Sequence, residues 1–191
     1  MMDRPLKLNG IWDDGYALDY HTVSSEYLGE DPFGNKRFDT TYTEVGELLY
    51  RMKYNGRENN SLDILNLCIP FLDGWLRDKQ IDCIIPMPPS EERITQPIFL
   101  IAETIANHYN IHYANNVLYK NSKIPSKTMT KENKDLAGTI DVLKCARRHC
   151  NILLIDDLYS TGATATECTR KLKEDPLIDK VYVFAITKTR T

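Results

Sequence analysis

The chain has 191 residues, 42% of them hydrophobic and 27% charged, enough for one α/β domain with a full core and a modest extension. Its formal net charge of −3 argues against bulk attraction to nucleic acid or to an anionic membrane. No apolar run approaches the roughly 20 residues that a membrane helix requires, and the N-terminus lacks the apolar core of a signal peptide. We therefore expect a cytoplasmic protein without a membrane partner.

The cysteine pattern does not predict a zinc ribbon, because no two cysteines form a Cys-x-x-Cys pair. Cys145, His149 and Cys150 are close in sequence and are a candidate metal cluster, but a fourth ligand is not evident. We favour free, buried thiols, which suit a reducing compartment. The five cysteines are Cys68, Cys83, Cys145, Cys150 and Cys168.

Residues 1–42 are predicted to form a small β-rich appendage. Asp13-Asp14-Gly15 is a turn signal, and we expect short strands over residues 10–12 and 16–20 on either side of it. Residues 31–35, Asp-Pro-Phe-Gly-Asn, are a second turn signal. The main domain is expected over residues 43–191.

Two helices are predicted at the start of the main domain. Apolar residues recur at helical spacing between Thr43, which can serve as the N-cap, and Gly56, which can end the helix. A second helix is expected over residues 61–77, and Pro70 should kink or divide it.

The remaining segments alternate between strand and helix, which predicts a doubly wound parallel sheet. Residues 120–138 are polar and rich in lysine without periodicity, and we expect a mobile loop there. The predicted strands cover residues 81–85, 112–119, 151–155 and 181–186, and the predicted helices cover residues 98–109 and 163–174.

The segment from Asn151 to Thr164 combines features of a phosphate site. Its apolar run leads to Asp156 and Asp157 at the carboxyl edge of the sheet, where open α/β sheets bind ligands. The small and hydroxyl-bearing residues that follow open a helix, whose first N–H groups attract anions. The two carboxylates are suited to ribose hydroxyls, directly or through Mg²⁺. Receiver domains and sugar-phosphate enzymes share parts of this pattern, which is the alternative interpretation.

The residue order of this segment resembles a known motif. An apolar run, two acids, two further residues and Ser-Thr-Gly-Ala-Thr are similar to the phosphoribosyl pyrophosphate (PRPP) motif of type I phosphoribosyltransferases. The form Asp-Asp-Leu-Tyr-Ser-Thr-Gly-Ala-Thr looks closest to the ComF-like branch, and residues 47–56 and 84–88 are similar to that branch as well. The resemblance covers about residues 44–190. It leaves out residues 1–40, where many ComF-like proteins have a zinc ribbon.

The resemblance implies roles for individual residues. Asp156 and Asp157 would face the ribose hydroxyls and Mg²⁺ and would be the catalytic pair. The residues that would wrap the 5-phosphate are Ser160, Thr161, Gly162, Ala163 and Thr164. The residues that would face the pyrophosphate are Pro88, Pro89, Ser90 and Arg93. Ile94 replaces the glycine that follows this arginine in the ComF-like branch, so a surface charge is the alternative for Arg93.

The lysine-rich segment matches the loop that closes over the site in this family, through Lys120, Lys123 and Lys127. Simple solvation is the alternative for each lysine. Loop closure excludes water, which the chemistry requires.

The implied reaction is displacement of pyrophosphate from C1 of PRPP by an unidentified acceptor, with Mg²⁺ as cofactor. Ser160 stands where 6-oxopurine enzymes carry an aspartate, which disfavours hypoxanthine and guanine as acceptors. Tyr159 either packs against the sheet, which we favour, or stacks on the acceptor. A non-catalytic PRPP or nucleotide sensor acting on a protein or DNA partner is the main alternative, and a scaffold with a degenerate pocket is the least favoured. We expect a homodimer.

Overall fold

The computed structural model describes residues 5–89, 95–121 and 139–190. Within these ranges the helices are α1 (Glu44–Asn55), α2 (Asn60–Trp75), α3 (Pro97–Tyr109) and α4 (Ala163–Leu172). The strands are β1 (Leu6–Lys7), β2 (Asp14–Tyr20), β3 (Thr22–Glu30), β4 (Lys36–Tyr42), β5 (Cys83–Pro86), β6 (His112–Tyr113), β7 (Leu118–Lys120), β8 (Ile140–Val142), β9 (Cys150–Tyr159) and β10 (Ile178–Lys188).

A six-stranded sheet with the order β1-β2-β10-β9-β5-β6 forms the centre of the fold. All neighbouring strands in it are parallel except β1 and β2. Two antiparallel pairs, β3–β4 and β7–β8, lie outside this sheet. The predicted α/β class with a mainly parallel sheet is confirmed. β9 lies inside the sheet: β5 pairs with it as far as Ile155, and β10 continues beside it past the acid pair to Tyr159.

The core has two layers, one on each face of the sheet. Buried residues of α1, α2 and α3 pack with Leu153 and Ile155 of β9 on one face. Buried residues of α4, β7 and β8 pack with Ile152 and Leu154 on the other. Burial on both faces explains why this strand has a continuous apolar sequence instead of an alternating one.

The helix boundaries follow the sequence signals at α1. The hydroxyl of Thr43 accepts a hydrogen bond from the Gly46 N–H, and Gly56 ends the helix in the left-handed region with φ of 62°. Of the two effects predicted for Pro70, a kink or a division of the helix, the division does not occur, because α2 continues through it. Its buried residues before and after the proline pack into one core layer, which offsets the lost backbone hydrogen bond.

The N-terminal prediction needs correction. No strand forms over residues 10–12, and β2 begins inside the predicted turn, at Asp14. The carboxylate of Asp13 accepts hydrogen bonds from the Val181 N–H and from Lys180 instead of closing a tight turn. β2 then pairs in parallel with β10, with Ala17 opposite Ala185. Strand pairing therefore joins β1 and β2 to the predicted main domain, whereas the hairpin β3–β4 forms a sheet of its own, with the predicted turn at 31–35.

Asp14 ties the start of β2 to α2 and to the segment after it. Its carboxylate accepts hydrogen bonds from Lys7 and from the Trp75 indole at 2.7 Å, and Lys79 lies 3.2 Å away. Burial alone would raise the pKa of Asp14, but these donors outweigh it and lower the pKa to about 2.

The low pKa of Asp14 predicts acid sensitivity. Stability from this group is complete above the usual aspartate pKa near 3.8 and is lost as the pH falls toward 2. We expect Asp14→Asn to lower the free energy of unfolding by about 1 kcal/mol at pH 7, after allowance for solvent screening, and by less at pH 3. Urea denaturation at pH 7 and at pH 3 measures the free energy of unfolding of each variant. Asp39→Asn in the exposed β3–β4 hairpin is the control, and equal losses in both variants at pH 7 would contradict the assignment.

Candidate active site

The acid pair lies within β9 and does not follow it. The strand was predicted to end at residue 155, yet it continues to Tyr159. Asp156 pairs with Ala185 of β10, and the Thr187 hydroxyl donates to the Asp157 carbonyl at 2.8 Å. The carboxylates are thus fixed on the backbone of a central strand, near its carboxyl end.

A lysine that sequence reasoning did not assign to the site contacts the acid pair. The ammonium of Lys53, in the last turn of α1, lies 2.6 Å from Oδ2 of Asp157. The side chains of Lys53 and Asp157 are only 14% and 25% exposed, respectively. The sequence signal for this residue was its place in the ComF-like helix end, residues 47–56, which carried no chemical role.

Asp156 is held in an environment that disfavours its charge. Burial is the main cause, and the neighbouring charge of Asp157 adds to it; together they raise the pKa of Asp156 to about 7. Backbone N–H groups of Asp157 and Leu158, and the charge of Lys53, act in the opposite direction. Additional positive charge beside the pair would favour the ionised form of Asp156.

His21, between β2 and β3, is a second site residue that sequence reasoning missed. Its ring packs edge-to-face on Tyr42 with centroids 5.3 Å apart. Burial lowers the pKa of His21, the charge of Lys53 lowers it further, and the charge of Asp157 opposes both. Its Nδ1 is buried and has no hydrogen-bond partner among the described residues. Long-range folding alone brings this residue to the acid pair, so no local sequence signal marked it.

The predicted phosphate loop forms the start of α4. Ser160 and Thr161 are exposed, and Gly162 has φ of 81° before the helix begins at Ala163. The N-cap residue Gly162 has no side chain to cap the helix, the Thr161 hydroxyl accepts a long hydrogen bond from the Ala163 N–H at 3.4 Å, and the Thr166 N–H is bonded to the Gly162 carbonyl at 2.8 Å. The N–H groups before Thr166, including that of Thr164, lie in the first turn, where a helix has no acceptors of its own. This arrangement suits an anion.

Tyr159 packs, as we favoured, instead of facing a ligand. It is 8% exposed, and its ring meets Trp12 edge-on at 6.2 Å between centroids. A Cβ atom placed on Gly162 would overlap the Tyr159 hydroxyl and lie 2.8 Å from its Cζ. The Tyr159 ring therefore packs directly against the phosphate loop at position 162, where a residue with a Cβ atom would clash with it.

The other predicted site segments are described only in part. Pro88 is buried and Pro89 half-buried, and the Met87 N–H before them bonds to the Ile155 carbonyl at 2.8 Å, which places this loop beside the acid pair. Neither proline can donate an N–H to pyrophosphate. Lys120 is exposed in β7, where it pairs with Ile140. The remaining predicted residues, Ser90, Arg93, Lys123 and Lys127, lie outside the described residues.

The cysteines of the structure are free thiols, as predicted, but they are not uniformly buried. Cys68 and Cys168 are buried, whereas Cys145 is exposed. Within the described ranges no three side chains of His, Cys, Asp or Glu are grouped to hold a metal ion. His149, from the candidate cluster, instead lies with Nδ1 2.8 Å from the Asp179 carboxylate.

A cavity of about 1010 Å³ lies at the opposite end of the sheet, by the starts of β9 and β10. Cys150 and Ile178 line it, and none of the predicted site residues does. We therefore place the candidate site by its chemistry, at the acid pair, and not by cavity size. In the part of the chain that the structure describes, no helix is long and apolar enough to cross a membrane.

Solved phosphoribosyltransferases are similar to this chain. An adenine phosphoribosyltransferase has 15% identity and a TM-score of 0.48, over 87% of this chain and 86% of its own. The Saccharomyces cerevisiae enzyme of that name has 15% identity and a TM-score of 0.46, over 87% and 84%. A Staphylococcus aureus hypoxanthine phosphoribosyltransferase has 16% identity and a TM-score of 0.45, over 67% of this chain and 64% of its own. These values describe a similar course of the backbone and assign no role to any residue of this chain. No protein-family profile and no curated protein matches the chain.

Proposed function

We propose that the chain binds PRPP at the carboxyl edge of β9 and transfers its phosphoribosyl group to an acceptor with release of pyrophosphate. One observation carries this proposal: a buried central strand holds two adjacent carboxylates and leads directly into a helix start whose N-cap residue is a glycine. Carboxylates can accept hydrogen bonds from the ribose hydroxyls, and a helix N-terminus can bind the 5-phosphate. The sequence resemblance to the ComF-like branch supports the same ligand.

The proposed role of each site residue follows from the chemistry of its side chain or backbone. Asp156 and Asp157 accept hydrogen bonds from the ribose hydroxyls, and the turn over residues 160–164 holds the 5-phosphate with N–H and hydroxyl donors. Loss of pyrophosphate from C1 needs little proton transfer, so positioning and charge carry the catalysis. Lys53 supplies positive charge beside the acid pair.

The donor set fits Mg²⁺ that arrives with the ligand. Two adjacent carboxylates without a third grouped ligand in the described ranges suit an ion that keeps several waters and shares substrate phosphates. Asp156 and Asp157 would hold it through water or through the ribose hydroxyls. The ion would supply charge stabilisation of the leaving pyrophosphate.

The acceptor class is narrowed by Ser160. This exposed hydroxyl cannot accept a proton at neutral pH as a carboxylate does, so we propose an acceptor other than a 6-oxopurine. We also propose that the protein belongs to the ComF-like branch, lies in the cytoplasm and forms a homodimer.

Calorimetry with PRPP and Mg²⁺ tests ligand binding. We expect saturable binding by the wild type and at least about a tenfold loss in Asp156→Asn and Asp157→Asn, since each replaces a carboxyl group that can accept from the ribose hydroxyls with an amide. Asp179→Asn, at the start of β10 and so at the other end of the sheet, should bind as the wild type does. Equal affinity in all four proteins would sink the proposed site. Pyrophosphate release over a panel of bases, with hypoxanthine and guanine as expected negatives, then identifies the acceptor.

A PRPP or nucleotide sensor without turnover is the second candidate. The hairpin β3–β4 favours it, because the hairpin presents apolar side chains that are more than half exposed, as a partner surface does. These residues are Val23, Tyr27, Leu28, Phe33 and Phe38. PRPP binding without pyrophosphate release from any base, together with capture of a protein or DNA partner, would favour the sensor over the transferase.

A further inference from the structure

The ion pair between Lys53 and Asp157 has features that a surface salt bridge lacks. It joins α1 to the central strand, and both side chains are mostly buried. Among the described residues Lys53 forms no other ion pair. An ammonium has three N–H donors, so two of those on Lys53 stay available to an incoming acceptor.

We infer that Lys53 is the resident counter-ion of the acid pair, and that it keeps divalent cations off Asp157 until an anionic ligand draws its ammonium away. The exclusion of cations depends only on the contacts above. The transfer of the ammonium to an anionic ligand rests on the proposed function.

Competition between the two cations follows from their positions. A divalent ion on Oδ2 of Asp157 would share the oxygen that the ammonium already contacts at 2.6 Å. Two cations on one carboxylate oxygen repel each other strongly where little water screens them. The metal alone should therefore bind weakly, because binding must first displace Lys53.

His21 does not replace Lys53 as a counter-ion. Its ring packs edge-to-face on Tyr42 with centroids 5.3 Å apart, and among the described residues it forms no ion pair with the carboxylates. Within the described ranges, Lys53 is therefore the one cationic side chain paired with a carboxylate of the acid pair. A pyrophosphate group offers that ammonium new oxygen acceptors, so metal and anionic ligand should bind cooperatively.

Titration with Mn²⁺ alone tests the exclusion of cations, with free Mn²⁺ followed by electron paramagnetic resonance. We expect Lys53→Met and Lys53→Gln to bind Mn²⁺ at least about tenfold more tightly than the wild type, since charge competition is removed. Lys53→Arg keeps the cation and should resemble the wild type. Lys171→Met, which removes a lysine near the far end of α4, is the control for net charge. Unchanged or weaker Mn²⁺ binding in both neutral variants, with folding confirmed by circular dichroism, would overturn the inference.

Calorimetry with PRPP separates this inference from the proposed function. In the wild type, Mn²⁺ should tighten PRPP binding by about tenfold or more, and in Lys53→Met this coupling should be severalfold smaller, because only the direct contact between metal and ligand remains. If the wild type binds PRPP and Mn²⁺ tightens that binding equally in both proteins, the inference that the Lys53 ammonium moves to the ligand is wrong. The proposed function then stands. If no protein binds PRPP but Lys53→Met gains Mn²⁺ affinity, the proposed function fails and the cation exclusion stands.

Discussion

Replacement of Gly162 by alanine should destabilise the protein by about 3 kcal/mol and weaken PRPP binding by more than about tenfold. The backbone at Gly162 has φ of 81°, and a new Cβ would overlap the hydroxyl of Tyr159. Tyr159 is buried against Trp12, so its ring can move away only if this packing changes. The helix start would shift, and the N–H groups of the phosphate loop would move with it. Guanidinium denaturation and calorimetry measure the two effects.

Gly34→Ala is a matched control for this substitution. Gly34 also has φ of 81°, but no atom of the described residues lies within 4 Å of the position that its Cβ would take. It should therefore show only the cost of a left-handed backbone, about 1 kcal/mol, with unchanged ligand binding. Equal losses of stability in the two variants would mean that Tyr159 does not hold the loop. Tyr159→Leu combined with Gly162→Ala should recover part of the lost binding.

Gly46→Ala is expected to cause a loss of similar size, about 3 kcal/mol, by a different route. A Cβ at this buried position in α1 would overlap the carbonyl oxygen of His21 and lie 3.0 Å from its carbonyl carbon. Both obstacles are backbone atoms, so α1 must move away from the segment that carries His21. Because Lys53 lies on the same helix, its contact with Asp157 should weaken as well.

A second helical glycine provides the comparison. Gly74 lies in α2, and a Cβ added there would meet no atom of the described residues within 4 Å. Gly74→Ala should therefore gain about 0.5–1 kcal/mol through helix propensity. Thermal unfolding of both variants measures the contrast. A neutral or stabilising Gly46→Ala would show that α1 and the His21 segment are not in close contact.

Local sequence signals predicted most of the fold. Thr43 and Gly56 bound α1 as expected, and the apolar run that begins β9 is buried on both faces. The strand extends past residue 155 because β10 continues beside it, with Lys188 opposite Tyr159. Chain order could not show this pairing, and it could not show that β2 joins the far side of β10.

The candidate site was predictable only where its residues are adjacent in sequence. Asp156, Asp157 and the turn after them form one continuous motif, and the structure places them together at one edge of the sheet. Lys53 and His21 reach that edge from α1 and from the segment after β2. Their roles depend on distance and burial, neither of which is encoded in local spacing.

A crystal structure of the protein with PRPP and Mg²⁺ tests the central claim most directly. The predicted result is a 5-phosphate at the N–H groups of the turn over residues 160–164 and ribose hydroxyls on Asp156 and Asp157. Lys53 should then contact an anionic oxygen of the ligand instead of Asp157. PRPP bound at another surface, with the Lys53–Asp157 pair intact and the turn empty, would contradict the account.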